Sequence, residues 1–166
     1  MGADFFWRRV MPDIVQGLDA ASLQALVPWW LDERFQREVE AGLTVGVENI
    51  AELIGELLRL GAGTGPDAAA ARLAVAGADG LRDSYHMVGV LPPEQVATVA
   101  EFLSRAQPAV WVKQFQEEMS TAADDVGLSG HIDGDWAQLV QDTEELARVF
   151  GLAAEAGEAI VVRVVA

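Results

Sequence analysis

A seven-residue run of mostly apolar side chains constrains the fold more than any other feature of this sequence. Residues 159–165 read Ala-Ile-Val-Val-Arg-Val-Val, and five of the seven are β-branched. Because successive strand residues point to opposite faces, a run that is apolar at consecutive positions predicts a strand buried on both faces. An amphipathic helix over about Asp135–Ala156 precedes the run, and Gly157 separates the two. We therefore predict a central strand of a sheet, covered by helices on both sides.

The rest of the chain has the pattern of a helix-rich α/β protein. Residues 4–10 and 84–91 are predicted to be strands, since β-branched and aromatic residues recur in them. Apolar residues from Ile50 to Leu58 recur at helical spacing, and Pro28 is predicted to open a further helix that closes at Gly42. No polar linker divides the chain. The prediction is a single domain over 1–166, a three-layer α/β/α sandwich around a small mixed sheet.

Charge and cysteine content exclude several classes of function. The chain carries 11 basic and 26 acidic residues, a net charge of −15, so we expect repulsion from nucleic acid and from anionic membranes. Cysteine is absent, which excludes disulfides and thiolate metal sites. No stretch approaches the roughly 18 apolar residues of a membrane span, and the start lacks the pattern of a secretory signal. We expect a cytoplasmic protein and infer no cofactor.

Two histidine-containing segments are the candidates for ligand or metal binding. His131, Asp133 and Asp135 occupy alternate positions in a Gly-rich loop, a spacing that offers imidazole and oxygen ligands to a divalent cation. The same residues also suit a solvated loop and a helix cap, and the calcium-loop template fails because Trp136 stands where its last carboxylate is required. His86 lies in the second predicted strand, where it is either a core residue or a general base.

Adjacent tryptophans indicate a contact surface. Trp29 and Trp30 would point about 100° apart on a helix, so burying both requires a helix that is covered over a wide arc. An exposed tryptophan is typical of an interface. These two residues are therefore the candidates for binding a protein partner or a second copy of the chain, with ordinary packing as the alternative.

Three stretches of the sequence match the pattern of a known family. The first is Arg8-Arg9-Val10 before Pro12-Asp13, the second joins RLAVAG at 72–77 to VLPPEQV at 90–96, and the third runs over 146–162. Together they resemble the YfbM-like family of small bacterial proteins of unknown function. The resemblance implies a three-layer α/β sandwich and no particular activity. The family's Tyr-Pro pair before its last helix is replaced here by Gly130-His131-Ile132.

Two functions of different classes fit these observations. The first is a non-catalytic binding or interaction module, since no coherent set of nucleophile, base and oxyanion donors is present and the acidic surface selects basic partners. The second is a small-molecule-binding domain or enzyme, with or without a divalent metal, whose cleft lies near His86 or the His131–Asp135 loop. The sequence favours the first and does not decide whether the protein is an enzyme.

Overall fold

The computed structural model describes residues 2–77, 87–129 and 136–166. Its strands are β1 (Asp4–Val10), β2 (Thr44–Val47), β3 (Val88–Leu91) and β4 (Ala159–Val165). The helices are α1 (Pro12–Val15), α2 (Ala20–Leu26), α3 (Phe35–Glu40), α4 (Ala51–Ala62), α5 (Asp67–Ala76), α6 (Pro93–Arg105), α7 (Pro108–Gln114), α8 (Gln116–Asp125) and α9 (Ala137–Ala156).

The four strands form one sheet in the order β2-β1-β4-β3. β4 pairs with β1 on one side, where Trp7 faces Val162, and with β3 on the other, where Leu91 faces Ile160. The apolar run is therefore a central strand, as predicted. All three pairings among the described strands are antiparallel, so the prediction of a mixed sheet was wrong. The sequence analysis also missed β2, which is only four residues long and contains Gly46.

Helices cover both faces of the sheet. Trp7 and Val162 point into the larger core, beneath α4 to α9, whereas Phe6 and Val161 point into the smaller core, beneath the segment from α1 to α3. All four side chains are at most 1% exposed. The alternation along β1 and β4 thus supplies both cores from the same strands. The predicted helix-rich three-layer α/β/α architecture is confirmed.

The smaller layer differs from the prediction between Pro28 and Gly42. Only α3 is helical there; residues 28–29 have no regular structure and residues 30–34 form turns and a bend, so Trp29 and Trp30 do not lie on a helix. The Asp32 carboxylate accepts hydrogen bonds from the Arg34 backbone N–H at 2.9 Å and from its guanidinium at 2.9 Å. Such a local side-chain bond competes with helix formation. The long predicted helix is therefore replaced by a turn and one short helix.

The larger layer is organised around α9. Leu139, Thr143, Leu146 and Phe150 on one side of this helix are buried, and Gly157 ends it in the left-handed conformation at φ 66°. The described helix begins at Ala137, and the predicted cap, Asp135, lies outside the described residues.

The helical segment from Pro108 to Asp125 is divided. Phe115 separates α7 from α8. Its own φ of −108° and ψ of 29° depart from helical values, which interrupts the helix at this residue. This break allows α7 to pack against α4 and α9 independently of α8.

Two part-buried ion pairs connect the sheet to its surroundings. The Arg8 Nε donates to Glu38 at 2.7 Å, and Thr44 donates to the same carboxylate at 3.0 Å. The Arg9 Nε donates to Glu158 at 2.6 Å. Arg8 and Arg9 both lie in β1, so the two ion pairs fix this strand to α3 and to the turn before β4. None of the helices in the described ranges is both long and apolar enough to cross a membrane.

Candidate functional site

The histidine-containing candidates lie outside the part of the chain that the structure describes. His86 falls in the gap at 78–86, and His131, Asp133 and Asp135 fall in the gap at 130–135. Their predicted roles stay predictions. Within 2–77, 87–129 and 136–166, no group of three or more His, Asp and Glu side chains is arranged to hold a metal ion.

Trp29 is a packing residue. Its ring is part-buried against the smaller core, and the guanidinium carbon of Arg163 lies 5.4 Å from the ring centroid. The Arg163 Nη1 also donates to the Val27 carbonyl at 2.9 Å. Burial lowers the pKa of Arg163, and the negative charge of Asp32 opposes that shift. The hydrogen bond to Val27 fixes the guanidinium, and the cation–π contact then holds the Trp29 ring against the fold.

Trp30 is held in place and yet partly exposed. Its indole N–H donates to Asp4 Oδ2 at 2.7 Å, and its ring makes edge contacts with Phe6 and Phe35, with centroids 4.9 and 4.8 Å away. The residue nevertheless keeps 39% of its surface exposed. Gly46 leaves room for this cluster, because a Cβ there would lie 2.9 Å from both Trp30 and Phe35. A large aromatic surface is thus presented to solvent in one fixed orientation.

A groove of about 410 Å³ runs beside Trp30, and we call it the Trp30 groove. It lies where the edge strand β2 meets α3 on one side and α9 on the other. The aromatic rings of Trp30 and Phe35 contribute one part of its lining, and α9 contributes a mostly acidic part. The polar and charged side chains that line it are Glu40, Thr44, Gln141, Asp142, Glu145 and Arg148.

The carboxylates of the Trp30 groove are unequally neutralised. Arg148 donates to Glu145 at 3.0 Å. Asp142 and Glu40 accept hydrogen bonds only from the amides of Gln138 and Gln36 and form no ion pair within the described ranges. Burial raises the pKa of Asp142, and the charge of Glu145 raises it further, whereas the bond from Gln138 lowers it. The groove is therefore a site of excess negative charge.

A second concavity of about 620 Å³ lies between α7 and α9, and we call it the α7–α9 cleft. Its lining consists of two helix faces with the same spacing of i, i+3, i+4 and i+7. One face begins at Ala109 and the other at Ala137, and Trp136 closes one end. One face consists of Ala109, Val112 and Lys113 of α7 with Gln116, the first residue of α8, and the other consists of Ala137, Val140, Gln141 and Glu144 of α9.

Packing on the far side of α7 fixes the position of this helix. The indole of Trp111 stacks with Phe102 at 6.3 Å between centroids, and it lies over Gly61 of α4. A Cβ at Gly61 would come closer than 3.0 Å to that ring, so only glycine admits the indole here. This stack anchors α7 to α4 and α6, and α7 also contacts α9 beside the cleft.

Sequence reasoning missed both concavities. The groove depends on the edge strand β2, which was not predicted, and on carboxylates 100 positions further along the chain. The matched spacing of the two cleft faces is visible in the sequence, but only the tertiary structure shows that they line one concavity. Of the predicted site residues, Trp30 lines one of these two concavities.

Comparisons with known proteins identify a fold. No protein-family model matches the chain, and no curated protein matches it either. The crystal structure of YfbM from Escherichia coli, a protein of unknown function, is similar, with a TM-score of 0.59 and 15% sequence identity over 98% of this chain and 99% of that chain. Similarity at this identity shows the fold alone. The chain therefore has the fold of YfbM, and the resemblance predicted from the sequence is confirmed at that level.

Proposed function

We propose that the protein is a non-catalytic interaction module that binds a basic, partly apolar segment of a partner protein in the Trp30 groove. The observation that carries this proposal is a tryptophan fixed by Asp4, Phe6 and Phe35, partly exposed, beside carboxylates without cationic partners. We also propose a cytoplasmic location, and neither nucleic acid nor membrane as a partner.

The physical reason is that little conformational entropy is lost when a partner binds here. A tryptophan that is already immobile loses little side-chain entropy on binding, and such residues dominate many interfaces. Its ring face attracts a guanidinium or ammonium group. Asp142 and Glu40, which form no ion pair among the described residues, would gain a cationic partner. The overall charge of −15 favours encounter with basic partners and opposes self-association through this same acidic groove.

A peptide titration tests the proposal. The probe is a synthetic peptide that alternates arginine and leucine, and the readout is the shift of backbone amide NMR signals at low and physiological salt. We expect the largest shifts at Gly46 and around Asp142, with affinity reduced about tenfold by Trp30→Ala. Asp142→Asn preserves the shape of the groove and should weaken binding severalfold.

Two controls make the result specific. Glu101→Gln removes one negative charge from exposed α6, away from the groove, and should leave affinity unchanged. A peptide with glutamate in place of arginine should not bind. The proposal fails if Glu101→Gln weakens binding as much as Asp142→Asn, since attraction would then be a property of net charge alone.

A second candidate function is the small-molecule-binding domain or enzyme, metal-dependent or not, with a cleft near His86 or the His131–Asp135 loop. It is supported by the α7–α9 cleft, because Trp136 lines that cleft and directly follows Asp135 in the chain. A thermal-shift screen against divalent metals, nucleotides and metabolites tests it. Stabilisation that is lost in His131→Ala or His86→Ala supports a role for that histidine, and no stabilisation by any compound contradicts this candidate.

A further inference from the structure

We propose that the α7–α9 cleft binds an apolar small molecule that ends in a single carboxylate, with Lys113 pairing with that carboxylate. The inference gives a ligand class to the second candidate function and rests on it. It does not depend on the proposed peptide binding in the Trp30 groove. Gln141 is the one residue that lines both the groove and the cleft.

The size and lining of the cleft suit a small molecule. Its volume of about 620 Å³ lies within the range of roughly 300–1,000 Å³ that is typical of ligand sites. Ala109 and Val112 on α7 oppose Ala137 and Val140 on α9, so the middle of the cleft is apolar from both sides. Val112 is already buried where α7 contacts α9, so the apolar surface that remains open comes from Ala109, Ala137 and the part-buried Val140. A ligand body placed in the cleft would remove this surface from water.

The polar groups of the cleft select the charge of the ligand. Lys113 is the only lysine of the chain, it is exposed, and it forms no ion pair within the described ranges. The indole N–H of Trp136 is buried and is therefore out of reach of a ligand in the open cleft. Lys113 is the cationic donor of the lining, so an acceptor with negative charge complements it.

Glu144 limits the negative charge that a bound ligand can carry. It is the single carboxylate of the lining, and with the acidic surface of the whole chain it opposes ligands with several negative charges. A nucleotide or a polyphosphate is therefore disfavoured. One carboxylate on an apolar body satisfies Lys113 at low electrostatic cost, and a second copy of this acidic chain does not.

Decanoate and decanol are the probes for this site. Each is titrated below its aggregation limit into the full-length protein, and binding is followed by tryptophan fluorescence and by amide NMR shifts on α7 and α9. We expect decanoate to bind more tightly than decanol to the unmodified protein. Lys113→Met keeps the length of the side chain and should weaken decanoate about tenfold while leaving decanol unchanged.

Two further variants locate the site. Ala109→Trp adds a bulky ring at an exposed cleft position and should block both probes, while Arg72→Met removes an exposed positive charge on α5 and should affect neither. The proposal is overturned by equal affinity for the two probes, by NMR shifts away from α7 and α9, or by light scattering that shows a dimer dissociated by Ala109→Trp.

The outcome also separates this inference from the function on which it rests. If decanoate does not bind but a metal or a metabolite stabilises the protein in the thermal-shift screen, the carboxylate class is refuted and the second candidate function stands. If nothing stabilises the protein and neither probe binds, both fail.

Discussion

Adding one methyl group at either of two glycines of α4 is expected to change the free energy of unfolding in opposite directions. Replacing glycine by alanine inside a helix stabilises it by about 0.5–1 kcal/mol, because the unfolded glycine loses more conformational freedom. At Gly55 the new Cβ would lie 3.8 Å from Val75, an ordinary contact distance. Gly55→Ala should therefore raise the free energy of unfolding by nearly that full amount.

At Gly61 the same methyl group meets a rigid ring. The added Cβ would come closer than 3.0 Å to several atoms of the Trp111 indole, where ordinary contact begins at 3.4 Å. The stacked Phe102 restricts any retreat of that ring. Overpacking of this kind costs about 1–3 kcal/mol, which exceeds the helix gain. Gly61→Ala should thus destabilise the protein by about 1–2 kcal/mol and lower its midpoint of thermal unfolding by roughly 2–8 °C.

Urea denaturation followed by far-UV circular dichroism measures both changes. Gly151→Ala is the matched control, because a Cβ at that position in α9 meets nothing within 4 Å and only the helix gain should remain. If Gly61→Ala proves as stable as Gly151→Ala, then the Trp111 ring is not fixed against α4, and the close contact at Gly61 does not restrict α7.

Three further substitutions test other parts of the structure. Burial raises the pKa of Glu38, but the hydrogen bonds from Arg8 and Thr44 outweigh it and hold that pKa below its usual value. Glu38→Gln should therefore lower the free energy of unfolding by about 2 kcal/mol at pH 7. In urea titrations this difference from the unmodified protein should vanish as pH falls through the pKa of Glu38 in the folded state. A difference that stays constant down to about pH 3 would contradict this. The pKa of Asp142 is raised by burial, so ionisation of this carboxyl opposes folding. The thermal midpoint of Asp142→Asn minus that of the unmodified protein should therefore increase from about pH 4 to pH 7. A decrease would refute that reasoning. Gly157→Ala forces a left-handed residue and should cost about 1 kcal/mol by urea denaturation, with Gly157→Asn less affected; equal stability of all three proteins would show that this turn does not need glycine.

The central strand could be predicted because a local pattern determines it. Ile160, Val161 and Val162 are apolar at consecutive positions, and only a strand covered on both sides buries them all. Strand direction was not predictable in the same way. It depends on which segments the strand pairs with, and pairing partners far apart in sequence leave no periodic signal.

The helix predicted around Trp29 and Trp30 failed for a local reason. Apolar spacing favoured a helix, but Asp32 bonds to the backbone and side chain of Arg34 and forms a turn instead. That turn gives Trp30 its orientation beside β2. The acidic part of the groove could not be predicted, because Asp142 reaches it only through the packing of α9 against the edge of the sheet.

The pairing of β1 with β4 has a consequence for biosynthesis. The ion pair between Arg9 and Glu158 joins residues 149 positions apart, and closing a loop of this length costs about 4 kcal/mol of chain entropy. At a translation rate of about 5–20 residues per second, the ribosome takes roughly 10–30 s to proceed from one strand to the other. Throughout that interval Phe6 and Trp7 lack the strand that buries them. The nascent chain therefore exposes an unpaired, apolar strand that chaperones can bind.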